Sequence, residues 1–337
     1  MSARECIIPV FVPHLGCPND CVFCNQRRIS GHQQPVDALT LAQEIESAAA
    51  LLPKGAKRQL AFYGGSFTAI PKCQQEELLG CAKGYLDRGL IDSIRLSTRP
   101  DAIDGEILNR LEHYGVETIE LGAQSLDDEV LLLSGRGHTA QDVADASELI
   151  RRRGFKLVLQ MMTGLPGDTE QKDIETANKI IALRPDAVRI YPTVIVRDTA
   201  LYDLWQAGLY EEHTVDKAVS VCAKLLPLFQ EAGIPVIRLG LNPTEDLSGG
   251  DAAGGAYHPA LGELVRSRIM LERARGLLAG AEAGSRVIIH VPRGKTSQMA
   301  GQHRANTNSL IEEFKLRSLR VMDDLSTDEM KIEIIDR

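Results

Sequence analysis

From residue 5 to about residue 280, short apolar, β-branched runs alternate with longer stretches of helical period, and this alternation constrains the fold more than any other feature. It is the pattern of βα units around a parallel sheet. The expected strands cover 7–13, 60–63, 93–98, 117–122, 156–162, 187–191 and 235–239. Thr40 and Gln43 read as a capping box for a helix that buries Leu41, Ile45, Ala49 and Leu52. Gly89, Gly115, Gly154 and Gly233 each sit just before a strand, where a helix end needs positive φ. At their other ends the strands run into GGSF, STRPD, AQSLDD, TGLPGDT and YPT. In α/β folds the ligand lies beyond the carboxyl ends of the strands, so those segments are where a site is expected. Six clear βα repeats and a seventh strand fall short of an eightfold barrel. The fold expected is therefore α/β, a partial and open (β/α)6 barrel.

The pattern changes after a long helix (259–279) and the small-residue linker GAEAGS. The tail reads strand, short helix, Gly301-Gln302-His303-Arg304, helix, strand, strand, which gives two expected domains, 1–280 and 285–337. Between Arg286 and Arg320 seven Lys/Arg face two Glu, although the whole chain of 337 residues carries a formal net charge of -8. An acidic chain is no whole-surface nucleic-acid binder, but this stretch can be a local basic patch. No apolar run approaches the roughly 20 residues that span a bilayer, and the first residues lack a signal-peptide layout. A cytoplasmic protein without a membrane partner is expected.

Three of seven cysteines crowd into GCPNDCVFCNQRR, directly after the first strand. The spacing of Cys17, Cys21 and Cys24 gathers three thiolates around one point, and thiolates select soft metals and iron–sulfur clusters. Three ligands leave one cluster iron open. A zinc knuckle completed by His14 is the competing reading of the same residues, and buried structural cysteines are another. Cys6, Cys73, Cys81 and Cys222 are dispersed and read as small buried hydrophobes.

C-x-x-x-C-x-x-C after the first strand of a βα barrel resembles the radical S-adenosylmethionine (SAM) superfamily. Further blocks, Tyr63-Gly64-Gly65-Ser66-Phe67, Ser97-Thr98-Arg99-Pro100-Asp101, Glu120 to Asp128, Arg136-Gly137-His138-Thr139, Gly164-Leu165-Pro166-Gly167 and Arg189-Ile190-Tyr191-Pro192-Thr193, stand in the order seen in the elongator catalytic subunit family, which modifies tRNA wobble uridines. The likeness covers roughly residues 5 to 275. It implies a [4Fe-4S] cluster on Cys17, Cys21 and Cys24, with the amino and carboxylate groups of SAM on the open iron. One-electron reduction, from a donor such as flavodoxin or ferredoxin, then yields a 5′-deoxyadenosyl radical that abstracts hydrogen from a substrate.

The same likeness implies roles for single residues. Phe23 would lie against adenine, and Gly64 and Gly65 would offer backbone to the methionine amino group. Gln124 and Gln160 resemble ribose or carboxylate ligands, Ser97 is a further candidate cofactor contact, and Arg136 would fork onto the methionine carboxylate. Tyr191 ends the sixth strand and is a candidate catalytic contact in the barrel mouth, while His138 reads as structural. The elongator subunit continues into an acetyltransferase domain and has a basic N-terminal extension and extra zinc-binding cysteines, none of which this sequence contains. Its carboxymethyl product is accordingly not carried over.

The order of the tail's elements resembles a KH RNA-binding module, with Gly301-Gln302-His303-Arg304 where Gly-x-x-Gly would clamp an RNA backbone. Arg304 replaces the second glycine. Arg293, Lys295, Gly301, His303 and Arg304 are the candidate RNA contacts. Together these readings point to a radical SAM enzyme that modifies a base of tRNA or rRNA. The alternatives are radical chemistry on a small molecule or tetrapyrrole, as in oxygen-independent coproporphyrinogen oxidases, and a non-catalytic metal-bearing RNA-binding protein.

Overall fold

The structure is a computed structural model of the chain and describes residues 5–12, 21–25, 36–53, 55–241, 250–324 and 329–336. Two compact units are present: residues up to 214 with 228–257, and residues 215–227 with 258 onward.

In the first unit the apolar runs form β1 (Glu5–Val12), β2 (Lys57–Gly64), β3 (Ser93–Thr98), β4 (Val116–Gln124), β5 (Lys156–Thr163), β6 (Ala187–Pro192) and, after the hairpin strand β7 (Val194–Val196), β8 (Val236–Leu239). The sheet order is β1-β2-β3-β4-β5-β6-β8 with every ladder parallel. Parallel neighbours in chain order require crossover helices, and these are α1 (Ala38–Leu51), α2 (Lys72–Asp87), α3 (Gly105–His113), α4 (Asp128–Leu133), α5 (Ala140–Arg152), α6 (Glu170–Leu183), α7 (Ala200–Gln206) and α8 (Val215–Glu231). The strands are buried on both faces, as the uninterrupted run Leu60, Ala61, Phe62 shows. This is the partial barrel expected from the sequence, a curled parallel sheet that ends at β8.

Helix starts and stops follow local chemistry. Gly89, Gly115, Gly154 and Gly233 all take φ between 70° and 80°. The cap of α1 differs from expectation: Asp37, in extended conformation, accepts a hydrogen bond from the Thr40 amide at 2.8 Å, so Thr40 lies inside the helix. Starting one turn earlier keeps Leu41 and Ile45 facing the core. The short antiparallel pair of β7 with β9 (Ala252–Gly255) carries no strand signal in its Ala-Ala-Gly-Gly sequence. Its Gly255 has φ +84, and a Cβ there would lie 2.7 Å from the Thr193 carbonyl oxygen.

The second unit holds α9 (Leu261–Leu278), β10 (Arg286–Pro292), α10 (Thr296–Ala300), α11 (Ala305–Glu313), β11 (Ser318–Asp324) and β12 (Lys331–Asp336). Its sheet order is β11-β10-β12, with β10 parallel to β11 and antiparallel to β12. Leu271, Ala274 and Leu278 of α9 pack with Val287, Ile289, Val291, Met299 and Leu310 into one core. The second compact unit therefore includes α9, which supplies one wall of the tail's core.

Candidate functional site

The carboxyl ends of β1 to β5 carry the first group of candidates. β2 ends in Gly64 with φ +105, where a Cβ would sit 2.7 Å from the Val12 carbonyl oxygen, and the Gly65 amide donates to that same oxygen at 3.0 Å. Only glycine lets β1 and β2 close in this way. Beyond it, the Ser66 and Thr98 hydroxyls bond at 2.8 Å and the Arg99 amide donates to Ser66 Oγ at 3.1 Å, which ties the ends of β2 and β3 together.

At the end of β4 the ladder to β5 breaks register between Gly122 and Gln124, and Gln124 takes φ +64. A non-glycine residue in the left-handed region costs about 1 to 3 kcal/mol and tends to mark a functional turn. The Gln124 amide folds back over Gly122, whose Cβ would lie 2.9 Å from Gln124 Nε2. Arg136, buried, donates from Nη2 to the Gly122 carbonyl at 2.6 Å and from Nη1 to Cys21 Sγ at 3.3 Å. One guanidinium thus joins the strand end to the cysteine loop. Arg99 supports it, donating to the Arg136 carbonyl at 2.9 Å while paired with Asp101 at 2.7 Å.

The loop itself is strapped on two sides. The Cys24 amide donates to the Cys21 carbonyl at 2.9 Å, the Val22 amide to Ser134, and the Leu201 amide at the start of α7 to Val22 at 2.7 Å. Asn25 Nδ2 donates to the Asp198 carbonyl at 3.2 Å. Phe23 packs beside Ile195, Leu201 and Tyr210, together with Tyr202 and Trp205, so its ring serves to seat the loop. Cys21 is buried and Cys24 half-buried, and they are not disulfide-bonded to each other. Cys17 and His14 lie outside the described residues. Among the described residues no group of three metal-binding side chains forms, so two sulfurs of the expected triad are placed. Two thiols that are not joined to each other, one of them hydrogen-bonded by a guanidinium, fit a thiolate-bound cluster.

Inside the barrel the strands carry a second group. Glu120 is fully buried and accepts from Arg95 Nη1 at 2.6 Å, Gln160 Nε2 at 2.8 Å and Tyr63 Oη at 3.2 Å, and pairs with Arg189 Nη2 at 2.9 Å. Gln160 also faces Ser97 Oγ at 3.4 Å, and Arg189 Nη1 donates to Tyr191 Oη at 3.1 Å. Burial, then the Glu120 charge, pushes the Tyr63 phenol up to about 12, so it remains a donor. Burial works against the charge of Arg189, yet Glu120 and the two tyrosines hold its guanidinium above the ordinary range. Of the expected cofactor contacts, Ser97 and Gln160 belong to this network and Gly64, Gly65, Gln124 and Arg136 to the rim.

The radical SAM superfamily profile matches residues 11–180, and the radical SAM C-terminal domain profile matches residues 185–270. The chain belongs to the radical SAM superfamily. Radical SAM enzymes use a [4Fe-4S] cluster and SAM. Elongator complex protein 3 of Homo sapiens is 28% identical over 233 residues, 63% of this chain and 42% of that protein. That of Schizosaccharomyces pombe is 34% identical over 192 residues, 51% and 35% respectively. The chain thus spans less than half the length of these curated relatives. Among solved structures, the archaeal Methanocaldococcus infernus Elp3 with an N-terminal deletion superposes with a TM-score of 0.62 at 22% identity, over 81% of this chain and 64% of that one. Escherichia coli coproporphyrinogen III oxidase, a radical SAM enzyme, gives 0.50 at 19% identity, over 68% and 54%. These two show the shared fold.

Around the radical SAM rim, His138 is buried and bonded through Nε2 to the Ala123 carbonyl at 3.2 Å; burial and the Arg136 charge bring its imidazole down to about 4. It is a neutral prop for the β4 turn. Behind the loop 164–167, Asp168 accepts from the Gly164 amide at 3.0 Å and shares a hydrogen bond with Asp173; burial raises both carboxyls, and Asp168 raises Asp173 further. In the second unit Arg293, Lys295, His303 and Arg304 are exposed and Gly301 is half-buried. Gly301 (φ +76) is held against Asn306, and His303 and Arg304 take φ +50 and +63. Arg304 adopts the left-handed backbone that a second glycine would provide. Sequence reasoning assigned no role to Glu120, Arg95 or Arg189. The available signal was a charged residue inside each of the apolar runs IRL, IEL and VRI of a doubly covered sheet.

Proposed function

We propose that this chain is a SAM-cleaving radical enzyme that modifies a base of RNA, tRNA or rRNA, in the cytoplasm. Cys17, Cys21 and Cys24 would hold the cluster. Gly64, Gly65, Gln124 and Arg136 would bind and orient the cofactor. The cluster and SAM, when bound, supply a carbon radical after one-electron reduction from a protein donor. The chain's own part is to fix the loop through Arg136, Leu201 and Asn25, to keep water from the buried face, and to present Tyr191 and Gln160 toward the substrate side.

The observation that carries the enzymatic reading is the contact of Arg136 with both Cys21 Sγ and the strained β4 end, since it puts the sulfur loop beside the turn that bears Gln124. Polynucleotide as substrate is supported by the likeness to elongator complex protein 3 and by a KH-like tail whose Arg293, Lys295 and Arg304 have no ion-pair partner among the described residues. Phosphate binding by such side chains is steeply salt-dependent.

The test uses the full chain, because removing the tail after residue 285 would strip the core from α9. Anaerobically reconstituted protein should cleave SAM on reduction, and alanine at Cys17, Cys21 or Cys24 should abolish both cluster and cleavage. Nucleoside mass spectrometry of RNA from cells with and without the gene should reveal one missing modification. Unchanged nucleosides, with SAM cleavage intact, would reject RNA as the substrate. Charge reversal of Arg293, Lys295 and Arg304 should flatten the salt dependence of RNA binding.

A further inference from the structure

Among the described residues, the network inside the barrel carries two guanidiniums, Arg95 and Arg189, and one carboxylate, Glu120. Register places Ser97 opposite Glu120, Gln160 opposite Arg189, and Phe11 opposite Tyr63, and Arg95 and Tyr191 lie two residues from Ser97 and Arg189 on the same face. Within that group two guanidiniums, Arg95 and Arg189, share the single carboxylate of Glu120. The Arg95 side chain is 8% exposed and Glu120 0%, so water does not screen the surplus cation at this depth. Nε of Arg95 and Nε of Arg189 are buried without an acceptor among the described residues. Buried charge without a counter-charge is unfavourable, and a face built in this way is complementary to an anion.

The network also has an open side. Tyr63, Gln160, Arg189 and Tyr191 are half-buried. The phenols differ in what they have left to give. Tyr63 Oη donates to Glu120 and accepts from Arg189 Nη2 at 2.6 Å, so it is satisfied within the network. Tyr191 Oη accepts from Arg189 Nη1, and its own proton has no acceptor among the described residues. A phenol that accepts from a guanidinium is the better donor for it. The Arg189 guanidinium rests 5.1 Å from the centre of the Tyr63 ring, which keeps it in place.

We propose that Tyr191 and Arg189, backed by Arg95 and Tyr63, form a subsite for an oxyanion carried by the enzyme's second substrate. A carboxylate of a small co-substrate and a phosphate of a polynucleotide share the chemistry required. The assignment rests on the barrel being the catalytic unit, and it is tested by binding rather than turnover, so its failure leaves SAM cleavage untouched.

Full-length, cluster-loaded protein saturated with SAM is titrated with carbon-13 formate and, separately, with inorganic phosphate, each followed by the NMR line width of the anion. Saturable broadening is expected with a Kd of about 1 to 10 mM for one of the two. Preference for formate identifies a carboxylate source and preference for phosphate a phosphodiester source. Arg189→Gln should weaken the favoured anion about tenfold, Arg189→Lys, which keeps the charge without the fork, should restore part of it, and Tyr191→Phe should cost about threefold. Should Arg189→Gln fail to fold, as judged by Trp205 fluorescence, Tyr191→Phe carries the test. No saturable binding of either anion, unchanged affinity in Tyr191→Phe and Arg189→Gln, or displacement of the anion by SAM would each overturn the proposal, the last by giving the subsite to the cofactor.

Discussion

Replacing Glu120 with glutamine keeps its shape and removes its charge, and this isolates what the carboxylate does for the barrel. In the native chain it faces Arg95 at 2.6 Å and Arg189 at 2.9 Å. With charge centres about 4 Å apart and an effective dielectric near 20, each pair contributes about 4 kcal/mol of attraction. The carboxylate's own desolvation offsets part of that sum, and the glutamine oxygen still accepts one hydrogen bond. Breaking one side of a buried pair typically costs about 3 to 5 kcal/mol, and that range is expected for Glu120→Gln. The chain's one tryptophan, Trp205, lies in the barrel unit, so its emission during urea unfolding reports that unit alone. The double variant Glu120→Gln with Arg95→Met removes one of the two orphaned cations with the carboxylate and should recover about half of the loss. A loss below about 1 kcal/mol in the single variant, or no recovery in the double, would refute the account of Glu120 as the counter-ion of two arginines.

Gly64→Ala forces a Cβ to 2.7 Å from the Val12 carbonyl oxygen at φ +105 and should cost about 1 to 3 kcal/mol in the same unfolding experiment while lowering SAM retention in equilibrium dialysis. His138 takes up its proton only near pH 4 when folded and near 6.5 when unfolded. The His138 contribution to barrel stability, present above pH 6.5, should therefore fall by about 2 to 3 kcal/mol as pH drops to 4, and His138→Gln should remove that part of the slope. Asp173 is shifted the other way: its raised carboxyl pKa makes the folded state lose ground as pH rises above the ordinary carboxylate range, so Asp173→Asn should raise the urea midpoint at pH 8 relative to wild type. Arg304→Gly relieves a left-handed arginine and should leave the tail at least as stable by about 0.5 kcal/mol in thermal unfolding, while reducing the salt slope of RNA binding by about 1.

The parallel sheet was legible because its strands are largely buried on both faces and therefore written as mostly apolar runs, several of them preceded by a glycine, such as Gly115, that ends the helix before the strand. The cysteine loop was legible for a different reason, since ligand spacing is local and three thiols within eight positions have few other uses. What stayed hidden depends on contacts between distant strands. Glu120 meets Arg95 from 25 residues away and Arg189 from 69, and neither spacing has a period that a single sequence reveals. The cap of α1 was misread because Asp37 and Thr40 both suit the role and both bury Leu41 and Ile45; the Thr40 amide bonded to the Asp37 carboxylate decides between them. The same logic explains why the rim candidates and the interior network separate in the structure although the sequence lists them together. Gly64, Gln124 and Arg136 shape the backbone where strands end, whereas Gln160, Ser97 and Tyr191 belong to a charged layer one step deeper. If the proposed oxyanion subsite holds, the surplus positive charge of that layer would contribute to substrate selection.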